Sequence, residues 1–210
     1  MKKYLKILLK SKLFFAFSEE RAEKIIETLS PNIKHYKKNE YIFNTGDKIT
    51  CMGVMLDGSA NIIKEDFWGN STILSNLSTE QIFGEAFACS DSQKIGVSVL
   101  ATADSTVMFF DIKSIINSEL SKNLISVLAQ KNVMLNRKIE YIANRKLRDK
   151  ILSYLSDVSK AKGTSEFDIP FNRQGLADFL VADRSALSNE LCKLRDEGIL
   201  QFNKNHFKLL

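Results

Sequence analysis

Proline is almost missing from this chain: two residues in 210. Its turns therefore fall to glycine and asparagine, which tolerate positive φ. Cysteine is scarce as well. Cys51, Cys89 and Cys192 show no C-x-x-C spacing, which argues against a disulfide scaffold and a structural zinc site and suits a reducing cytoplasm. The only histidines, His35 and His206, cannot assemble the several His plus carboxylate of a metal oxygenase. There is no Walker loop, no G-x-G-x-x-G and no Ser/His/Asp set, so the expectation is a protein that is not an enzyme and carries no metal. Long apolar runs are lacking too. Lys6, Lys10 and Lys12 break up the first fifteen residues, and neither a signal-peptide core nor a membrane span is expected. The expected setting is cytoplasmic.

What is present is an ordinary globular composition, 44% hydrophobic and 26% charged, enough for one large or two small domains. The net charge is +5, and it is unevenly placed. Residues 1–130 hold 15 Lys+Arg and 15 Asp+Glu, which cancel, whereas residues 131–210 hold 15 and 10. A neutral front and a basic back suit a sensor followed by a nucleic-acid binder.

Residues 4–29 read as an amphipathic helical lead-in. From about residue 32 the pattern shifts to period two, with strands expected at 33–36, 41–43, 53–56, 60–64, 72–77, 97–101 and 106–110. Turn signals separate them at Lys38-Asn39, Thr45-Gly46-Asp47, Asp57-Gly58 and Gly69-Asn70. Many short strands at even spacing suggest a sandwich or small barrel. Helical spacing returns from 111 to 162, where Leu124, Leu128, Leu135 and Ile139 or Ile142 form a narrow apolar stripe that seeks a partner helix. Lys131 and Lys138 lie close to that stripe. The basic cluster Arg137, Lys138, Arg145, Lys146 and Arg148 marks the expected hinge.

Residues 172–197 carry the most information. Leu176, Ala177 and Leu180, then Leu187, Leu191 and Leu194, recur at helical spacing on two short segments. Asp183 stands where its carboxylate caps the second segment. The opposite face shows Arg184, Ser185, Ser188 and Asn189, short or forked hydrogen-bonding groups suited to base edges and phosphates. Arg173 and Gln174 open the first helix where it would cross a phosphate backbone. The tail reads as strands at 199–202 and 206–209 about an Asn203-Lys204-Asn205 turn, a wing with Lys204 at its tip. A plain helix pair with a solvated outer face fits the same spacing, and Val181 occupies a turn position that glycine often fills.

This order of parts resembles the catabolite activator/FNR (Crp/Fnr) family of bacterial transcription regulators. The run YIFNTGDKITCMGVMLDGSANI looks like that family's cyclic-nucleotide-binding barrel, Phe83-Gly84-Glu85 like the start of its phosphate-binding cassette, and NRQGLADFLVADRSALSNEL like its helix-turn-helix. The implied fold class is α+β. It has an N-terminal cyclic-nucleotide-binding-like β-barrel (jelly roll) with its helix over 1–120, a long dimerisation helix and hinge over 121–145, and a C-terminal winged helix-turn-helix over 146–210. The resemblance further implies a homodimer on a roughly palindromic double-stranded DNA operator, a small-molecule effector between barrel and helix, and RNA polymerase as partner if the protein is an activator. By position Arg184 reads a base. Ser185 and Asn189 stand where nucleotide-responsive members carry an acidic and an arginine reader. Arg173, Gln174, Ser188 and Lys204 are the phosphate-contact candidates.

The cassette departs from the family pattern. Burying a cyclic phosphate needs a fixed cation and donors, which cyclic-nucleotide binders supply as Arg-Ser ten and eleven residues after the cassette glutamate. Here those positions are Ile95 and Gly96. Lys94 is adjacent, but strand alternation would turn it away. The helix positions that hold hydroxyls in nucleotide binders are Leu135 and Asn136. The expected effector is therefore not cyclic AMP, and the candidate pocket residues are Phe83, Gly84, Glu85, Phe87, Cys89, Ile95, Gly96, Met134, Leu135 and Asn136. The same apolar groups also suit a packed core. A haem sensor, needing His35, Cys51, Cys89 or a methionine as ligand, or a thiol-based redox sensor of the same family remains the alternative. An FNR-type iron–sulfur cluster lacks its N-terminal cysteines. A regulatory subunit acting on a protein partner is the rival outside DNA binding.

Overall fold

A computed structural model describes residues 2–90 and 94–210. The chain divides into two compact units, Met1–Ala129 and Gln130–Leu210.

The first unit opens with two helices, not one continuous lead-in. Helix α1 (Lys2–Lys10) leads to a 3-10 turn at Lys12–Phe14, and α2 spans Glu19–Leu29. Between them Ala16 takes φ 68° and Ser18 begins a new helix by accepting a hydrogen bond from Arg21 N at 3.3 Å. Glu19 and Glu20 in the first turn complement the dipole of α2. Leu5 and Leu8 of α1, with Ala22, Ile25 and Ile26 of α2, are buried.

Eight strands follow: β1 (Asn32–Tyr36), β2 (Tyr41–Phe43), β3 (Cys51–Asp57), β4 (Ser59–Glu65), β5 (Ser71–Ser78), β6 (Ile82–Phe83), β7 (Ser98–Ala101) and β8 (Ser105–Asp111). A short helix α3 (Glu85–Ala88) sits between β6 and β7. The strands form two four-stranded sheets, ordered β1-β8-β3-β6 and β2-β7-β4-β5, and every pairing is antiparallel. Four of the positive φ values fall at the expected turns, at Asn39, Gly46, Gly58 and Gly69, and others stand at Ser30, Glu80 and Gly84.

Strands β3 and β8 are buried on both faces. Met52, Val54 and Leu56 of β3, with Met108 and Phe110 of β8, join α1 and α2 in one core. Met55 of β3, with Val107 and Phe109 of β8, face the other sheet in a second core. Period-two alternation here therefore separates two apolar environments instead of apolar from wet. By contrast β5 is an edge strand, and its Ile73 and Leu74 remain 56% and 53% exposed.

Helix α4 (Ile112–Ile116) and the 23-residue α5 (Ser121–Ala143) follow β8. The unit boundary falls inside α5. Leu124 and Val127 are buried in the first unit's core, whereas Val133, Met134, Leu135 and Ile139 are exposed.

The second unit adds α6 (Leu147–Lys162), β9 (Glu166–Asp168), α7 (Arg173–Phe179), α8 (Arg184–Asp196), β10 (Leu200–Asn203) and β11 (His206–Leu209). Its sheet has the order β10-β11-β9, so the expected two-stranded wing carries a third strand. Ile151, Leu155, Leu176, Leu180, Leu187, Leu191, Leu194 and Phe207 make its core. Beside them Tyr141, Tyr154, Phe171 and Phe179 form an aromatic cluster. Burial pushes the Tyr154 phenol up to about 12. Burial and the hydrogen bond to Asp157 do the same for Tyr141.

Two glycines in barrel turns that cross between the sheets separate backbone strain from steric clash. Gly46 (φ 93°) and Gly58 (φ 80°) both lie in left-handed backbone. A Cβ on Gly46 would meet nothing within 4 Å, whereas one on Gly58 would lie 2.4 Å from the Asp104 carbonyl oxygen. Gly46→Ala should destabilise the protein by about 1–2 kcal/mol, the cost of a side chain in left-handed backbone. Gly58→Ala should cost clearly more. Urea unfolding of the two variants checks the order, and equal midpoints would refute it.

Candidate functional site

The helix pair places its predicted polar groups on one accessible surface. Helix α7 begins at Asn172, whose side chain accepts from Gly175 N at 2.8 Å, a cap the sequence reading passed over. Its last turn is closed by Lys150, which donates to the Leu180 carbonyl at 3.2 Å. The connecting turn puts Val181 at φ 51°. A β-branched residue there is strained, and 64% exposure leaves it little packing to compensate.

Helix α8 starts at Asp183, whose Oδ1 accepts from Ser185 N (2.8 Å) and Ala186 N (2.9 Å). Hydrogen bonds from Ser185 and Ala186 hold this carboxyl below its ordinary range, so it stays an anion at the positive end of the helix. Leu187, Leu191 and Leu194 are fully buried. Arg184, Ser185 and Asn189 face solvent, with Ser188 half-buried. Ser188 Oγ donates to the Arg184 carbonyl at 2.9 Å, and the Ser185 hydroxyl bonds Asp183. Both hydroxyls are thus engaged within the helix.

Arg173, on α7, is held against the wing. Its guanidinium lies 4.9 Å from the centre of the Phe202 ring, and Arg195 of α8 approaches the same ring at 6.0 Å. Desolvation lowers the Arg173 pKa. Phe202 and Arg195 were not among the predicted site residues. Their signal was present in sequence only as an aromatic on a wing strand and a basic residue late in the recognition helix. Gln174 donates to Asp178 at 2.8 Å, four residues on. Lys204 takes φ 55° and is exposed in the turn between β10 and β11.

Of the expected hinge cluster, Arg148 belongs inside the helical module. It forms ion pairs with Glu197 and, at 3.6 Å, with Glu190, tying α6 to α8. Lys138 lies over Phe179 at 5.5 Å, which explains a lysine so near the apolar stripe of α5.

In the barrel, Phe83 is fully buried and packs with Phe43 and Phe109, ring centres 5.7 and 6.5 Å away. Gly53 makes this possible, because a Cβ there would lie 2.4 Å from the Phe83 ring. Gly84 (φ 79°) turns the chain into α3, where Glu85 is 3% exposed. Phe87 and Cys89 are half-buried. Burial raises the Cys89 thiol pKa, with Glu85 adding to the effect. Burial also raises that of Cys51. Both thiols are thereby kept protonated and weakly nucleophilic.

Ile95 is 2% exposed. Its backbone is pinned to the first barrel turn, Gly46 N donating to its carbonyl at 2.8 Å and its own N–H to the Asp47 carbonyl at 2.9 Å. Gly96 is exposed beside it. Lys94 is also exposed but precedes the strand β7, so the alternation argument does not apply to it. Met134, Leu135 and Asn136 lie on α5 in the second unit, with Met134 and Leu135 66% and 60% exposed. Asn136 donates to Asn132. His35 bonds Thr106 at 3.0 Å. Among the described residues no three His, Cys, Asp or Glu side chains gather as metal ligands, and no helix is long and apolar enough to cross a membrane.

The cyclic nucleotide-binding domain family matches residues 33–117, and the Crp-like helix-turn-helix domain family matches residues 149–210. The chain belongs to the Crp/Fnr family. This Crp/Fnr protein is a transcription regulator with a DNA-binding helix-turn-helix. Solved structures with the same fold include the catabolite activator protein of Thermus thermophilus (18% identity, TM-score 0.53, covering 95% of this chain and 94% of that one). A second is DNR from Pseudomonas aeruginosa (21% identity, TM-score 0.53, 100% and 95%). A third is CprK complexed with OCPA (15% identity, TM-score 0.67, 88% and 90%). No curated protein matches the chain.

The regulator's wing carries a pH-sensitive contact. His206 of β11 bonds Asp168 at 3.1 Å and Glu166 at 3.2 Å, both on β9. The bond to Asp168, then that to Glu166, raises the imidazole pKa above its ordinary value of 6.5. A raised folded-state pKa gives stability that is full below 6.5 and is lost as pH rises through the folded value. The thermal midpoint should therefore fall from pH 6 to pH 8 more in the parent than in His206→Gln. Parallel slopes in the two proteins would refute the contact.

Proposed function

We propose that this regulator acts as a homodimer paired along α5, with the Asp183-capped face of α8 entering the DNA major groove. The observation that carries the reading is that face. Arg184, Ser185 and Asn189 are solvent-exposed directly opposite three fully buried leucines, at the N-terminal end of a helix matched to a DNA-binding family. In this reading Arg184 grips a guanine edge through its fork. Arg173, Gln174, Ser188 and Lys204 contact phosphates, and Asn189 and Ser185 set the remaining base preference. Asp183 acts by holding the helix end in place. A palindromic operator follows from the two-fold symmetry of a dimer. RNA polymerase is the further partner if the regulator activates. The chain works as a cytoplasmic DNA-binding switch and not as a catalyst, with functional segments at 1–120, 121–145 and 146–210.

Gel-shift titration at fixed salt tests this. Arg184→Ala should cost about 1–3 kcal/mol at the cognate site and relax base choice there. If the variant discriminates cognate from scrambled DNA as the parent does, α8 is not the reader.

The exposed apolar groups of α5 support pairing, because a solvent-facing row of Leu135, Ile139 and Ile142 gains by burial against its copy. Leu135→Lys combined with Ile139→Lys should convert a dimer to a monomer in analytical ultracentrifugation. An unchanged mass would remove α5 as the dimer seam.

The effector proposed is a small molecule other than cyclic AMP. Ile95, 2% exposed, offers no charge where a cyclic phosphate needs a cation, and Phe83 fills the adjoining core. Titration calorimetry with cyclic AMP should show no binding at micromolar concentration, and a micromolar dissociation constant would overturn this.

A further inference from the structure

The wing carries an aromatic ring beside the start of α7. Phe202 of β10 stands opposite Phe207 of β11 in the ladder. Their rings stack with centres 6.0 Å apart and planes at 27°. Phe207 is fully buried in the core of the second unit, so Phe202, itself half-buried, is backed by that core. The ring has a fixed place from which to hold something else.

Two guanidiniums approach that ring, Arg173 at 4.9 Å and Arg195 at 6.0 Å from its centre. The face of an aromatic ring attracts a cation, more strongly where water is thinned out. The two arginines differ in what else holds them. Arg195 is paired with its neighbour Asp196, Nε and Nη2 both lying 2.9 Å from one carboxylate oxygen. Among the described residues no carboxylate and no hydrogen-bond acceptor holds Arg173. Its surroundings are the Phe202 ring and, as an electrostatic neighbour, Cys192. Arg173 is half-buried, and a partly desolvated cation without an anion is a state that a phosphate would relieve.

A free arginine samples many rotamers and must give them up to grip one phosphate. A ring that holds the guanidinium beforehand lowers that cost before DNA arrives. Because the ring engages the charge and is not a carboxylate, the N–H fork that matches a phosphate stays available. Phe202 also lies on the strand that leads into Lys204 at the turn of the wing. One ring therefore links the start of α7 to the wing.

We propose that Phe202 is a positioning residue for DNA binding, its ring holding the Arg173 guanidinium where it grips a backbone phosphate. Phe202 acts through Arg173 and reads no base itself. The inference rests on the reading of this surface as the DNA interface, and the experiment below separates the failure of one from the failure of the other.

The experiment is fluorescence anisotropy of the full-length protein on a labelled duplex of mixed sequence, roughly 30 base pairs long, enough for two half-sites one helical turn apart. Affinity is measured over a range of KCl concentrations. Each phosphate contact contributes about 0.9 to the steepness of log affinity against log salt, so Arg173→Gln should flatten that slope by about 0.9 per protomer. Phe202→Leu keeps an apolar side chain without a ring and should lose at least half as much. Phe202→Tyr keeps the ring and should keep the parent's slope. The double variant Arg173→Gln with Phe202→Leu should bind no more weakly than Arg173→Gln alone, because nothing is left to position. The losses should be the same on a second duplex of unrelated sequence, since phosphate contacts carry no base information. A parental slope in Phe202→Leu or in Arg173→Gln, an equal loss in Phe202→Tyr, additive losses in the double variant, or losses confined to one duplex would each overturn the proposal. A parent that binds neither duplex would overturn the DNA-interface reading along with it. If Phe202→Leu fails to fold by circular dichroism, Phe202→Met takes its place under the same expectations.

Discussion

The barrel depends on two strands that serve two cores at once. Successive residues of β3 and β8 alternate between the helical layer of α1 and α2 and the interior between the sheets. Each strand is therefore fixed in register from both sides, since a one-residue slip would exchange every side chain between two differently shaped environments. The phenylalanines add to this. Phe83 occupies the gap left by Gly53, and Phe43 and Phe109 close around it. Burying one such ring is worth roughly 1.5–3 kcal/mol, which makes the filled interior a stable state of the sensor and sets the terms on which any effector could enter.

The second unit turns the same logic to presentation. A helix meant to meet DNA must keep its polar face in water and be held firmly from behind. Leucines at three helical spacings hold α8, and Arg148 couples it to α6 through Glu190 and Glu197. These ion pairs are partly exposed, so their contribution is modest and falls with salt; their value lies in fixing the orientation of α8. Asp183 and Asn172 satisfy helix-end N–H groups that would otherwise be open. Arg173 stacked on Phe202 brings a desolvated cation to the wing side of the same surface.

Much of this was legible in the chain. The barrel turns announced themselves because Asn39, Gly46, Gly58 and Gly69 are residues that tolerate the positive φ found there. The helix pair showed itself through leucine spacing and the Asp183 cap, both local. What escaped has a common cause. Strands β6 and β9 are two and three residues long, too short for any period, and exist only because β3 and β11 pair with them. The break between α1 and α2 was hidden by apolar residues that continue across it.

The sequence by itself determined the order of modules, the register of the helix-turn-helix and which face of α8 is polar, because caps, turns and periodicity act over a few residues. Tertiary structure alone decided that β3 and β8 are buried twice over and that Phe83 fills the barrel beside Gly53. It likewise decided that Arg148 braces α8. Those outcomes rest on contacts between residues far apart in the chain, and such contacts have no signature in any short window of it.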